Sequence, residues 1–153
     1  MVNSSLCYIE KDCSYLMLYR NKKKSDPNAG KWIGVGGKFL EGESPTDCVI
    51  REVREETGLE LKSPRFRGLV TFTSDIYETE QMFLFTADSF KGTLSGDCDE
   101  GELRWVPKDR IAGLNLWEGD RQFLKLLADD APFFLMKLEY EGDKLVRSTL
   151  FES

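Results

Sequence analysis

Residues 36–61 read GGKFLEGESPTDCVIREVREETGLEL, and this stretch fixes a helix and both of its ends. Ser44 suits the N-cap, Pro45 the first helical position, and Asp47 brings negative charge to the first turn. Gly58 suits the left-handed position that stops the helix. The spacing therefore predicts a helix over 44–58. At about 100° per residue, Glu52, Glu55 and Glu56 share one face, while Thr46, Val49, Ile50, Val53 and Thr57 cluster on the other. Like charges at this spacing destabilise a bare helix by a few tenths of a kcal/mol per pair, roughly. Arg51 offsets part of that as the i+4 partner of Glu55, and a divalent cation would offset more. An ordinary solvated face is the plain alternative, since Glu is a good helix former. Two neighbours favour the cation. A glycine pair precedes the helix, where backbone can approach phosphate closely, and Glu43 lies just before the cap. Oxygen-only clusters of this kind suit magnesium, which binds through a few carboxylates together with waters and substrate phosphates.

Outward from the helix, strands dominate. Residues 5–10 and 14–20 read as two strands around a turn near Lys11–Asp12, and NKKKSDPNAGK (21–31) as a polar loop. A short strand enters IGVGGK. Residues 60–72 and 78–88 form two further strands around a turn at Ser74–Asp75, and GELRWVP (101–107) another, stopped by Pro107. Residues 118–130 are helical, with Phe123, Leu124, Leu127 and Ala128 at helical spacing. A hairpin around Gly142–Asp143 closes the order. Strands with helices interspersed irregularly indicate a mixed α/β (α+β) domain rather than a regular βαβ series, and no linker interrupts residues 1–153, so a single domain is expected.

Composition narrows the function classes. The 153 residues suit one domain, and the net charge of −6 disfavours non-specific grip on DNA or RNA, although metal ions can bridge an acidic protein to polyphosphate. No run approaches the roughly 18 apolar residues of a membrane span, and the first residues lack a signal peptide's basic and apolar regions, so a cytoplasmic protein with no membrane partner is expected. Cys7, Cys13, Cys48 and Cys98 form no CxxC pair and read as reduced thiols. The chain has no histidine, which excludes a His base and a Ser-His-Asp triad.

Gly37, Glu43, Arg51, Glu52, Val53, Glu55, Glu56, Gly58 and Leu59 match every fixed position of the pattern G-x5-E-x7-R-E-U-x-E-E-x-G-U, where U is a bulky aliphatic residue. By this match the chain resembles the Nudix hydrolases. The resemblance implies the Nudix fold, a mixed sheet sandwiched between helices. It also implies water attack on a diphosphate phosphorus, with magnesium, or manganese as a substitute, held by Glu52, Glu55, Glu56 and the Gly36 carbonyl. Arg51 and Glu43 would brace loop and helix. Glu52 is the first choice of general base, with Glu55 or Glu100 as alternatives.

Residues outside that pattern bear on substrate. GKWIGVGGK (30–38), DEGELRWVP (99–107), LWEGDR (116–121) and the closing hairpin are similar to the MutT-type group, which hydrolyses oxidised purine nucleoside triphosphates such as 8-oxo-dGTP to clean the nucleotide pool before DNA synthesis. This likeness implies Glu100 as a further metal ligand, with Glu102 as the fallback. It implies Trp117 stacked on the purine and Asp120 against the purine edge; the plain alternatives are a core anchor and a helix cap. Ile33 and Gly119 depart from the best-known mammalian relative by lacking hydrogen-bonding groups, which leaves backbone and Asp120 to read the base. Lys23, singled out from Lys22–Lys24, and Lys38 in the glycine loop would meet phosphate, or simply solubilise the loop. Phe72, Phe83 and Phe85 either wall the base pocket or fill the core. The expected partner is a small nucleotide, with no nucleic-acid polymer, on a monomer or homodimer. ADP-ribose, NDP-sugar or dinucleoside polyphosphate hydrolysis uses the same pattern, and a non-catalytic nucleotide sensor is the non-enzymatic alternative.

Overall fold

Polar–apolar alternation fails in the two strands at the centre of the fold. Strands β1 (Val2–Lys11) and β2 (Ser14–Arg20) carry unbroken buried runs at Ser4–Ile9 and Tyr15–Leu18, as strands do when both faces of a sheet are covered. A computed structural model gives the architecture and describes residues 1–23, 25–96 and 98–151. The other elements are β3 (Trp32–Ile33), β4 (Val35–Lys38), α1 (Pro45–Thr57), β5 (Glu60–Leu61), β6 (Arg65–Ser74), β7 (Glu80–Ala87), β8 (Phe90–Lys91), β9 (Gly101–Pro107), α2 (Glu118–Ala128), β10 (Phe134–Glu141) and β11 (Lys144–Phe151).

Among the described residues, nine strands form one mixed sheet. Its main path is β11-β10-β6-β7-β1-β2-β3, with β4 on β1 and β9 on β2. Strands β1 and β7 pair in parallel, as do β6 and β10; the other ladders are antiparallel. Side-chain alternation sends Leu6, Tyr8, Tyr15 and Met17 to one face, where Phe123, Leu124 and Leu127 of α2 cover them. Cys7, Ile9, Leu16 and Leu18 go to the other face, under Val49 and Val53 of α1. The mixed sheet between helices is the expected α+β fold.

The α1 boundaries follow the capping chemistry. Ser44 Oγ accepts from the Asp47 amide at 3.1 Å, and Asp47 Oδ2 accepts from the Ser44 amide at 3.0 Å. Gly58 closes the helix at φ 80°.

Several expectations need correction. The first strand begins earlier, at Val2. The strand expected over 60–72 is two strands, because Ser63 sits at φ 47° and Pro64 follows it. The unforeseen β8 pairs with β5. Pro107 leads into a 3₁₀ turn, Lys108–Gly113. No described helix is long and apolar enough to cross a membrane, and the four cysteines are free thiols.

Candidate active site

Arg51 organises the acidic end of α1. Its Nε donates to Glu43 Oε2 at 2.6 Å and its Nη2 to Glu43 Oε1 at 3.0 Å, a two-pronged pair. Nη1 donates to Glu52 Oε1 at 2.7 Å and to Glu55 Oε2 at 3.1 Å, and Nη2 reaches the Lys38 carbonyl at 3.1 Å. Glu43 Oε1 also accepts from the Leu40 amide at 2.7 Å. The guanidinium thus ties the loop after β4 to the helix. Its hydrogen bonds, with that amide, hold the Glu43 carboxyl below the usual carboxylate range.

The helix is rotated from the expected orientation. Cys48, Glu52 and Glu56 form an i, i+4, i+8 row turned inward, with Cys48 Sγ donating to the Gly37 carbonyl at 3.4 Å. Glu56 is buried, with only 9% of its surface exposed, rather than sharing an open face with Glu55, whose side chain is 58% exposed. A helical wheel gives relative angles only; the sheet under Val49 and Val53 sets the absolute one. Glu100, just before β9, comes to Glu56 by hydrogen bond, and its charge reaches Glu52. Burial, the Glu100 hydrogen bond and the nearby carboxylates all raise the Glu56 carboxyl. Burial raises Glu52 as well, against the pull of Arg51. Glu102 instead pairs with Arg104 at 3.5 Å.

A hard divalent cation fits these residues. Glu56 Oε2 is buried with no hydrogen-bond partner, and burial together with the neighbouring carboxylates makes ionised Glu56 and Glu52 costly. Among the described residues no three or more His, Cys, Asp or Glu side chains are already arranged to hold a metal ion. The donor set is oxygen throughout, which suits magnesium or manganese.

The glycine pair has work inside the protein. A Cβ on Gly36 would stand 1.9 Å from the Ser5 carbonyl oxygen on β1, and one on Gly37 would stand 2.5 Å from Glu52 Cδ. Packing against β1 and against Glu52 is by itself a reason for two glycines here.

A cavity of about 900 Å³ is lined by Glu52, Glu100, Gly36, Gly37 and Lys38 and also by Phe72, Met82, Trp117, Asp120 and Tyr140. The aromatic members are locked together. Trp117 Nε1 donates to Asn28 Oδ1 at 2.8 Å, Tyr140 meets the Trp117 ring edge-on at 5.4 Å, and Lys31 Nζ stands 5.0 Å over that ring. The Tyr140 hydroxyl accepts from the Gly119 amide at 2.8 Å, and a Cβ at Gly119 would come 2.7 Å from that hydroxyl. An acid at position 119 would have no room beside Tyr140. Asp120 does not cap α2, whose N-cap Trp117 makes no side-chain cap bond. Burial pushes the Asp120 carboxyl up to about 7, with Lys31 opposing and Glu80 assisting.

The remaining predicted positions separate cleanly. Phe72 lines the cavity, whereas Phe83 and Phe85 belong to the α1-side core. On β7 the even-numbered residues Glu80, Met82 and Leu84 turn to α2, so both phenylalanines turn away. Ile33 also lines the cavity. Lys23 stands beside Glu100 at 4.0 Å, Lys22 donates to the Cys98 carbonyl at 2.8 Å, and Lys24 lies outside the described residues. Sequence reasoning missed Ser4, Arg20, Glu80 and Tyr140. Arg20 pairs with Asp26 and with Glu100, the latter at 3.1 Å. The available signals were polar residues inside otherwise buried strands, Ser4 in β1 and Glu80 at the start of β7; Tyr140 left none.

Residues 5–127 match the family profile described as NUDIX domain. An uncharacterized Nudix hydrolase of Bacillus subtilis, YvcI, is 35% identical over 125 residues, 79% of this chain and 75% of that protein. The oxidized purine nucleoside triphosphate hydrolase of Mus musculus is 33% identical over 112 residues, 72% of this chain and 71% of its own. The crystal structure of the mutator MutT protein from Bacillus halodurans superposes with a TM-score of 0.89 at 26% identity, covering 98% of this chain and 97% of that one.

Proposed function

The chain belongs to the Nudix hydrolase family, enzymes acting on phosphoric anhydride bonds, and on that basis we propose that it cleaves a purine nucleoside triphosphate, oxidised forms such as 8-oxo-dGTP included, to the monophosphate and pyrophosphate. The observation that carries this reading is the single cavity shared by an acidic group and an aromatic group of side chains. Its volume suits a nucleotide. The likeness to an oxidized purine nucleoside triphosphate hydrolase supports the choice of base.

In this reading Glu52, Glu56, Glu100 and the Gly36 carbonyl would hold magnesium or manganese, and Glu55 at the rim would offer a further oxygen donor. A bound divalent cation supplies charge withdrawal from the phosphoryl oxygens and a lower pKa for the attacking water. Glu52, the first choice of general base, would take the water's proton at its carboxylate, which Arg51 orients through Oε1. Arg51 and Glu43 fix the direction in which that carboxylate points. Lys23 and Lys38 meet the outer phosphates as point charges. Trp117 and Phe72 hold the purine by its faces, at about 1–3 kcal/mol for a stacked base. Asp120 accepts from N–H groups on the purine edge.

The test is nucleotide product and pyrophosphate release, with magnesium, from 8-oxo-dGTP, dGTP, 2-hydroxy-dATP, dATP, ADP-ribose and diadenosine tetraphosphate. The expected winner is a purine triphosphate. A higher kcat/KM for ADP-ribose or the dinucleotide would overturn the substrate reading, and no turnover at all would point to a nucleotide sensor.

Asp120 adds a pH signature that is independent of turnover. Its carboxyl titrates near 3.8 when unfolded and at about 7 when folded. Between those values the folded protein binds the extra proton, so stability declines as pH rises through that window and levels off above it. Asp120→Asn should therefore be more stable than wild type at about pH 8, on the order of 2 kcal/mol, with the gain vanishing near pH 4. Urea unfolding at the two pH values reads the difference. Equal gains at both would mean that the carboxyl is not buried as described.

A further inference from the structure

Glu80 is out of place for its strand. Met82 and Leu84, two and four residues on, share its face of β7 and pack in the α2-side core. Glu80 nevertheless turns into the same cavity as Asp120, where Ser4 Oγ donates to its Oε2 at 2.6 Å. Ser4 is itself buried and lies on β1, the strand paired with β7. The hydroxyl fixes one carboxylate oxygen and leaves Oε1 without a hydrogen bond from any described residue. Asp120 is only 4% exposed, and its carboxylate likewise accepts no hydrogen bond among the described residues. Neither acid is in a salt bridge with a described residue. Two buried or half-buried acceptors with no protein donor on their free oxygens, set in one aromatic-walled cavity, are placed to take donors from a ligand that displaces water there.

We infer that Glu80 is a specificity-determining residue that reads the purine edge opposite to the one Asp120 reads, and that the cavity selects purines with N–H donors on both edges, the 8-oxopurine class. This rests on the purine triphosphate reading above. Guanine offers N1–H and its 2-amino group on the Watson–Crick edge, but N7 on the other edge is an acceptor. Set against a carboxylate, that lone pair meets a second acceptor and leaves both unpaired. Oxidation at C8 places a proton on N7 and turns it into a donor. The oxidised base then satisfies both acids at once, and the normal base satisfies one. A site built to hydrogen-bond a particular group rejects the analogue lacking it far more strongly than shape alone does.

The experiment compares kcat/KM for 8-oxo-dGTP, dGTP and 7-methyl-GTP in wild type, Glu80→Gln and Glu80→Met. Dissociation constants of the corresponding monophosphates give the same ratios if turnover is slow. Wild type should prefer 8-oxo-dGTP over dGTP by about tenfold or more. Glu80→Gln, whose amide can donate to N7, should lose that preference or reverse it. Glu80→Met, which restores an apolar face, should lose it while melting no lower than wild type. An unchanged ratio in folded variants overturns the inference and leaves the purine reading standing. So does 7-methyl-GTP performing as well as 8-oxo-dGTP, since its N7 carries charge but no proton. If wild type neither binds nor cleaves any purine nucleotide, the purine reading itself fails, and this inference with it.

Discussion

Glu56→Gln should lower kcat by about a hundredfold or more while raising the melting temperature of the metal-free protein. The two effects have one origin. Glu56 is buried with Oε2 unpartnered and Glu100 beside it, so an ionised carboxylate there is unfavourable unless a cation joins it. Gln keeps the shape, carries no charge, and can donate to Glu100. The folded carboxyl titrates above its unfolded value of 4.5, so the folded state holds the extra proton, and wild-type stability without metal falls as pH rises above that value. Magnesium or manganese should restore the lost stability in wild type and do much less for the variant. Thermal melts at several pH values, with chelator and with added metal, check this beside pyrophosphate release. A variant that turns over at the wild-type rate, or that gains as much from metal as wild type does, would remove Glu56 from the proposed metal site.

Alanine at two adjacent glycines should produce two different defects. At Gly36 the new Cβ meets the Ser5 carbonyl oxygen at 1.9 Å and Leu6 Cα at 2.9 Å, both backbone, so β4 must leave β1. The expected cost is about 3 kcal/mol or more in unfolding free energy. At Gly37 the Cβ meets the Glu52 carboxylate, with Oε2 at 2.6 Å, and a side-chain terminus can swing aside. The fold should survive nearly intact while kcat falls roughly a hundredfold, the loss that about 1 Å of misplacement can bring. Urea unfolding and kcat/KM on both variants separate the cases. Wild-type kcat in Gly37→Ala would show that the Glu52 carboxylate needs no fixed position, and equal destabilisation of the two would contradict the strand contact.

Legibility from sequence followed the range of the forces involved. Local chemistry was readable: Ser44, Pro45, Asp47 and Gly58 set the ends of α1, and the four sit within a few residues of what they satisfy. The pairing of Arg51 with Glu55 was readable for the same reason, whereas the bracing role of Arg51 and Glu43 came only with the family resemblance. Long-range placement was not. The inward turn of Glu56 depends on how α1 sits on β1 and β4. The choice between Phe83 and Met82 for the cavity depends on which parity of β7 faces α2, and period two leaves that choice open. Likewise, Gly119 looked like the loss of an acid until Tyr140, brought over from β10, was seen to fill the space. The break at Ser63–Pro64 was visible as a proline, and the run of β-branched and aromatic residues around it outweighed the signal.

The parallel pairing of β6 with β10 joins residues 68–74 to 134–140. During translation, Arg51, Glu52 and Glu56 leave the ribosome well before Tyr140 can dock against Trp117. A half-made chain would therefore carry these charged residues without the aromatic wall of the cavity. The aromatic side of the cavity is closed only when β10 zips onto β6, so the strand that carries the edge β11 also brings Tyr140 to Trp117.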